Sequence, residues 1–315
     1  MRSRSVQPAL HSASVAMFLQ SPRTVYRGDL VRMRSPETQG DKSVRPYVRV
    51  ELRDGHLEIG HGISPALRVF FFPHAGGSAM SLLPLASELP AGTQALLFDL
   101  PGRGVREGEP RPATFDDACS AVAHQVEPLL DRPALFFGHS LGGLLCDAVV
   151  RSLPAERRHQ VRKVIVSSAM APRQTAARVA RPPAPPPRRP REDLLALLSG
   201  FGGTPQEILD APELLGVVVD AFGDDMLLVD SYRLRPGLPV PDSEYEFWAG
   251  REDMFDAASE WDVWAGTVAR PLRRRVFPGG HFYLTDGTEA RVALRETVTA
   301  LLLNITSPPG QEALT

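Results

Sequence analysis

From Arg68 onward, the chain alternates short apolar runs with segments whose apolar residues recur every three or four positions. The apolar runs predict strands at Val69–Phe72, Ala95–Phe98, Ala134–Phe137, Val164–Val166, Glu244–Trp248 and Arg275–Phe277. Helical spacing is found in Ser81–Leu89, Phe115–Leu130, Leu141–Leu153 and Arg291–Leu303. Strands that are apolar along most of their length need cover on both faces, which a parallel sheet between two helix layers provides. The pattern therefore predicts an α/β fold with a mostly parallel central sheet flanked by helices.

The alternation is interrupted between about residues 172 and 240. A Pro-rich stretch, Arg181–Pro190, is followed by segments with helical spacing at Glu192–Phe201, Gln206–Leu209 and Pro212–Tyr232. An all-helical insertion between two strands of such a sheet is positioned to cover an active site, so we expect a helical lid. We interpret the Pro-rich stretch as a stiff linker rather than a partner-binding motif.

Residues 1–66 differ from the rest of the chain because they are Arg-rich near the start and contain few large apolar residues. We expect an N-terminal extension that is largely disordered, and a targeting peptide is the alternative. Within it, Tyr47–Leu52 and His56–Ile59 flank Asp54-Gly55, a hairpin turn signal, so a small β-ribbon is predicted there. Residues 67–304 are then one catalytic domain, and residues 305–315 a flexible tail.

Composition excludes several classes of function. The net charge is −2, so the chain as a whole carries no basic footprint for nucleic acid. Cys119 and Cys146 are the only cysteines, too few for a disulfide framework or a Cys-rich zinc site. No apolar run approaches the roughly 18 to 20 residues of a membrane span. We therefore expect a soluble, cytoplasmic protein without a metal site or a membrane anchor.

The most informative motif is Gly138-His-Ser140-Leu-Gly142-Gly143, which lies between a predicted strand and a predicted helix. A G-x-S-x-G turn in this context is a nucleophile elbow, in which the serine is strained and its Oγ is exposed at the helix N-terminus. The motif predicts that Ser140 is a catalytic nucleophile in an α/β-hydrolase fold.

A serine nucleophile needs a base, which in this fold follows it in the chain. Two histidines follow Ser140. His159 lies in a polar stretch before a strand and is interpreted as a surface residue. His281 lies in a Gly-rich turn after a strand, where it can reach the carboxyl edge of the sheet. We predict that His281 is the base.

The carboxylate that orients the base is expected in the loop after the strand Glu244–Trp248. That loop offers Glu252, Asp253 and Asp256, of which we choose Asp253. Three lid aspartates are interpreted more simply as solvated charges: Asp224, Asp225 and Asp230.

An oxyanion hole in this fold uses two backbone N–H groups. One belongs to the residue after the nucleophile, Leu141. We assign the second to Ala75, in the Gly-rich loop Phe72–Ser78 that follows an early strand. His74, in the same loop, is interpreted as shaping the loop, and a second base is the alternative.

These motifs together resemble the type II thioesterases that accompany polyketide synthases and nonribosomal peptide synthetases. The resemblance covers about residues 67–304. Its motifs are Phe72-Pro-His-Ala-Gly-Gly-Ser78, Leu100-Pro-Gly-Arg-Gly104 with Arg106 and Glu109-Pro110, the elbow, Gly202-Gly-Thr-Pro205, Gly250-x-x-Asp253 and Phe277-Pro-Gly-Gly-His281-Phe. The family's lid commonly carries Arg-Ala-Asp where this chain has Gly223-Asp-Asp225, and its usual Cys-Pro is replaced around Pro241-Asp-Ser243. Because both departures lie around the lid, they bear on acyl specificity rather than on the chemistry.

The resemblance implies a monomer that stands alone, needs no cofactor of its own and hydrolyses acyl groups from the phosphopantetheine arm of carrier proteins. This editing activity clears misprimed or stalled units. Carrier proteins are usually acidic, so four arginines of the Pro-rich stretch and the residue after it are candidate contacts: Arg181, Arg188, Arg189 and Arg191. The alternative is that these arginines only keep the Pro-rich linker soluble. A general carboxylesterase or an acyltransferase is the alternative enzyme, because the same triad serves all three. A non-catalytic binding protein of the same fold is the alternative from another class.

Overall fold

The computed structural model describes residues 31–34, 47–53, 55–61, 64–171, 186–233, 238–254 and 257–306. Within these residues, nine strands form one sheet in the order β1-β2-β3-β5-β4-β6-β7-β8-β9. Their bounds are β1 Val31–Arg34, β2 Tyr47–Arg53, β3 His56–His61, β4 Leu67–Phe72, β5 Thr93–Phe98, β6 Ala134–His139, β7 Val161–Ser167, β8 Glu244–Gly250 and β9 Arg273–Phe277. Strands β4 to β9 are parallel to their neighbours among themselves, which confirms the predicted parallel sheet.

Helices follow most of the parallel strands. Their bounds are α1 Leu83–Ala86, α2 Phe115–Val126, α3 Leu141–Ser152, α4 Ala155–Arg158, α5 Arg191–Phe201, α6 Gln206–Leu209, α7 Pro212–Ser231, α8 Ala257–Ala265, α9 Tyr283–Asp286 and α10 Thr288–Thr306. No helix in the described ranges is long and apolar enough to cross a membrane.

The parallel strands β4 to β8 are buried on both faces, as continuous apolar strands require. Because side chains alternate along a strand, Phe70 and Phe72 of β4 join one apolar cluster, which includes α3 and the lid. Val69 and Phe71 join the other, which includes α10. The parallel strands β4 and β6 thus present their carboxyl ends at one buried edge of the sheet.

The N-terminal hairpin belongs to this sheet. Strands β2 and β3 pair antiparallel, and β3 pairs antiparallel with β5, with Leu57 opposite Leu97. Leu57 and Ile59 are fully buried in the core, so pairing and burial together hold the hairpin on the domain. The expected boundary at residue 66 is therefore corrected for these two strands, while residues 1–30 and 35–46 lie outside the described residues.

The predicted helical insertion between β7 and β8 is confirmed. Helices α5, α6 and α7 occupy 191–201, 206–209 and 212–231, each within one residue of the predicted bounds. Residues 172–185 and 234–237, which complete the insertion, lie outside the described residues. Helix α7 contacts the core beside α2, where the rings of Phe115 and Tyr232 lie 4.1 Å apart. We call residues 186–233 the lid.

Candidate active site

The turn between β6 and α3 has the geometry of the predicted elbow. Ser140 adopts φ 55° and ψ −117°, a left-handed backbone conformation that is costly for any residue except glycine. A Cβ on Gly138 would overlap the carbonyl of Gly142, and a Cβ on Gly142 would overlap the carbonyl of Phe72. Glycine is therefore required at both positions, because only it allows the strand, the turn and the helix to come this close together.

Backbone hydrogen bonds hold the strained residue in place. The N–H of Ser140 donates to the carbonyl oxygen of Ser167 at 2.7 Å, and the N–H of Gly143 donates to the carbonyl oxygen of Ser140 at 2.9 Å. Leu141 begins α3, so its N–H is one of the helix's first amides, which have no acceptor within the helix. The elbow thus places the serine beside an N–H suited to stabilising negative charge.

His281 and Asp253 are brought together as predicted. The imidazole Nδ1 lies 3.1 and 3.0 Å from the two carboxylate oxygens of Asp253. Each side chain is only 2% exposed. Asp253 follows β8 and His281 follows β9, so two neighbouring parallel strands carry the pair to the same edge of the sheet as the elbow.

Glu252, the competing candidate for the acid, has a different role. Its Oε2 accepts a hydrogen bond from the N–H of Gly279 at 2.5 Å, and its own N–H donates to the carbonyl oxygen of Gly279 at 3.0 Å. Both bonds join the loop after β8 to the loop that carries His281. Asp256, the third candidate, lies outside the described residues.

Aromatic side chains surround the imidazole of His281. The ring of Phe201, the last residue of α5, lies 4.4 Å from it, and the ring of Phe282 lies 5.2 Å away, edge to face. Just beyond α5, Gly203 has φ 77°, and a Cβ there would overlap the ring of Phe282. The lid therefore covers the imidazole directly.

Two further histidines are buried beside this site. His139 lies with its ring 5.0 Å from that of His281, and its Nδ1 is 2.9 Å from the Ser167 hydroxyl. Burial lowers the pKa of His139 well below its usual range and lowers that of His74 to about 3, with His281 adding to both shifts. Both rings are therefore neutral near pH 7. A group with such a low pKa is a weak base, which favours the interpretation that His74 shapes its loop.

The loop that carries Ala75 is fixed by the lid. Asp225, on α7, accepts a hydrogen bond from the N–H of Gly76 through Oδ2 at 2.7 Å. The same carboxylate forms a bidentate pair with Arg103, at 2.5 and 2.6 Å. The Asp225 residue is 3% exposed, so the expectation of a solvated charge is wrong here. Its position on the apolar stripe of α7, three residues after Phe222, is the sequence signal that was available.

The other two lid aspartates are paired with arginines. Asp224 lies 3.0 Å from Arg188 and also pairs with Arg111, an exposed residue before α2. Asp230 forms a bidentate pair with Arg189 at 2.8 and 2.6 Å. Their neighbour Arg191 lies 3.9 Å from Asp220, while Arg181 lies outside the described residues. Arg188, Arg189 and Arg191, the three described candidates for carrier contacts, therefore each pair with an aspartate of the lid.

Known proteins are similar to this chain in sequence and in fold. The thioesterase domain family model matches residues 67–301. The chain is 30% identical over 231 residues to the "Probable cadicidin biosynthesis thioesterase" of Streptomyces griseus, a match covering 71% of this chain and 60% of that protein. It is 31% identical over 224 residues to thioesterase PikA5 of Streptomyces venezuelae, covering 70% of this chain and 76% of that protein.

A solved structure has the same fold. The type II thioesterase BorB from the borrelidin biosynthetic cluster matches with a TM-score of 0.58 and 27% identity, covering 74% of this chain and 92% of that one. Together with the sheet topology, this confirms the predicted α/β-hydrolase fold.

Proposed function

Because the chain belongs to the thioesterase domain family, we propose that it is a stand-alone, type II thioesterase of polyketide or nonribosomal peptide biosynthesis. It hydrolyses acyl groups from the phosphopantetheine arms of carrier proteins and so clears stalled or misprimed units. The family match over residues 67–301 supports the reaction class, and the names of the Streptomyces relatives support the pathway type. A cytoplasmic monomer that uses no cofactor of its own completes the proposal.

The observation that carries the chemistry is the buried His281–Asp253 pair, at the same sheet edge as the strained Ser140. In the proposed mechanism the Ser140 Oγ attacks the thioester carbonyl carbon while His281 Nε2 takes the hydroxyl proton. Asp253 accepts the Nδ1–H hydrogen bond and stabilises the imidazolium. The N–H groups of Leu141 and Ala75 bind the oxyanion.

Collapse of the tetrahedral intermediate breaks the carbon–sulfur bond, and the pantetheine thiol leaves with the proton held by His281. Water then attacks the acyl-enzyme and gives a proton to His281. The ester bond to Ser140 breaks as His281 returns that proton to the Ser140 Oγ, which releases the free acid and restores the enzyme. Because a thiolate leaves easily, this reaction depends on positioning and on the oxyanion hole more than on protonation of the leaving group.

The test is turnover of one acyl group presented in three ways, on a carrier protein, on coenzyme A and as a nitrophenyl ester. We expect the highest kcat/KM for the carrier-bound thioester. Ser140→Ala serves as the control, and loss of the nucleophile in a triad enzyme costs roughly 10⁶ in kcat. A fluorophosphonate should label the wild-type protein at one site and the variant at none.

Equal or higher kcat/KM for the nitrophenyl ester would instead favour a general carboxylesterase. Release of the acyl group as an ester or amide of an added small nucleophile, rather than as free acid, would favour an acyltransferase. Activity of Ser140→Ala within tenfold of wild type would exclude Ser140 as the nucleophile.

A further inference from the structure

A carboxylate of the lid holds the loop that follows β4. Asp225 lies 122 residues from Arg103 and 149 from Gly76 along the chain, yet its oxygens bind both at 2.5 to 2.7 Å. The side chains of Asp225 and Arg103 are 4% and 15% exposed. A buried charge is retained only where partners compensate its lost hydration, and here those partners are Arg103 and one backbone amide of the loop.

Arg103 binds the same loop at a second point. Its Nη1 donates to the carbonyl oxygen of Gly77 at 2.9 Å as well as to Asp225. Between the two contacts, Gly76 adopts φ +75°, and the N–H of Gly77 donates to the carbonyl oxygen of His74 at 3.0 Å. The turn from His74 to Gly77 is thus held by a carboxylate of the lid and by a guanidinium of the loop after β5.

This turn contains Ala75, whose N–H is the proposed second oxyanion donor. The N–H of Gly76 already donates to Asp225, so it is engaged away from the reaction. The orientation of the neighbouring peptides therefore depends on Asp225. A displacement of about 1 Å at such a site can cost 10²-fold in rate.

We propose that Asp225 is a positioning residue for the oxyanion hole. It lies in the lid and fixes the Ala75–Gly76 turn, so the catalytic site is complete only when the lid contacts the loop after β4. This inference rests on the proposed function. Helix α7 then positions an oxyanion donor as well as covering the active site. When the lid loses this contact, the enzyme loses transition-state stabilisation before it loses substrate binding.

Asp225→Asn is the informative change. One Asp225 oxygen accepts from both Gly76 and Arg103, while the other accepts only from Arg103. An asparagine of the same shape must turn its NH₂ group toward one of these donors, so at least one contact is lost. Asp224→Asn is the matched control, because Asp224 is adjacent on α7 and binds Arg188 and Arg111 instead.

Rates are normalised to the sites titrated by fluorophosphonate. We expect kcat of Asp225→Asn to fall about 10- to 100-fold, a smaller loss than removal of a complete oxyanion donor causes. KM should stay within about twofold of wild type, because the change acts on the transition state. Asp224→Asn should keep wild-type kcat. Arg103→Lys keeps the charge but loses the bidentate geometry, so its kcat should lie between those of the two aspartate variants.

A second readout separates positioning from general destabilisation. An alkyl trifluoromethyl ketone forms a tetrahedral oxyanion adduct, so its inhibition constant should weaken in Asp225→Asn by the same factor as kcat/KM. Hydrogen exchange of the Gly76 amide should quicken in Asp225→Asn and not in Asp224→Asn. Wild-type kcat in Asp225→Asn, or unchanged ketone affinity in the titrated sites, would overturn the proposal.

These measurements distinguish failure of the inference from failure of the proposed function. If the wild-type protein turns over no carrier-bound thioester, the proposed substrate class is wrong. The nitrophenyl ester then reports on the coupling, and amide exchange at Gly76 tests the contact without any substrate.

Discussion

Replacement of Ser140 by glycine should stabilise the protein while it abolishes turnover. The elbow holds Ser140 at φ 55° and ψ −117°, where a Cβ is strained and glycine is not. Ser140→Ala is the matched variant, because it also loses the hydroxyl but keeps the Cβ in the strained conformation. The comparison between the two variants therefore isolates the backbone strain.

The expected difference can be estimated from two opposing effects. Relief of one strained residue is worth about 1–3 kcal/mol, and the greater freedom of glycine in the unfolded chain offsets about 0.5–1 kcal/mol of it. The net gain is about 0.5–2 kcal/mol in the free energy of unfolding. For a domain of this size, one kcal/mol shifts Tm by about 2–4 °C, so Ser140→Gly should melt about 1–8 °C above Ser140→Ala.

Differential scanning calorimetry of the two variants at equal concentration measures this difference, and urea unfolding gives an independent free energy. A Ser140→Gly protein that melts at or below Ser140→Ala would refute the reasoning. It would mean either that the turn relaxes around alanine or that the strain is not stored at this residue.

Three further predictions concern the acid, the buried histidines and the lid arginines. Asp253→Asn should lower kcat about 10⁴-fold, as expected when the imidazole loses its orienting carboxylate, whereas Glu252→Gln keeps an acceptor for Gly279 and should cost far less; the reverse order would show that the acid is misassigned. Since a histidine titrates near 6.5 when unfolded and burial lowers the pKa of His74 to about 3, the unfolded chain binds more protons between these values. The free energy of unfolding should therefore fall as pH drops below about 6.5, by up to about 1.4 kcal/mol per pH unit. Urea unfolding of His74→Gln should show a smaller dependence of this free energy on pH. An equal dependence in the variant and the wild type would contradict the prediction. Because Arg188 and Arg189 are paired with lid aspartates, replacing both with serine should leave the salt dependence of kcat/KM for a carrier-bound substrate unchanged, and a shallower dependence would show that they contact the carrier.

The elbow and the bounds of the lid helices could be predicted because their signals are local. Gly138, Ser140 and Gly142 lie within five residues, and the steric reason for each is contained in the turn that they form. Helix bounds follow similarly from apolar spacing and from the flanking Pro and Gly residues. The pairing of His281 with a residue of the 250–256 loop followed from chain order and the parallel sheet.

Contacts between distant segments could not be predicted in the same way. Nothing near Asp225 indicates that its partner is Arg103, because the pair forms only when α7 packs against the loop after β5. Position on the apolar stripe of α7 shows that the carboxylate is buried, but the identity of its partner depends on the fold as a whole. The aspartate partners of the arginines before and at the start of α5 could not be predicted for the same reason, because those aspartates lie on a helix that follows the arginines in the chain.

The hairpin formed by β2 and β3 determines which truncated forms of this protein are prone to aggregate. A fragment that begins at residue 67, where the family match begins, would leave β5 as an edge strand whose outer amides and carbonyls have no partner. That strand, Thr93–Phe98, carries no charged residue, and uncharged edges readily pair with other molecules into aggregates. The opposite edge strand, β9, is guarded by the exposed arginines Arg273 and Arg274. Charge therefore protects one edge of the sheet and the N-terminal strands cover the other, so fragments designed to avoid edge-to-edge pairing need to keep Tyr47–His61.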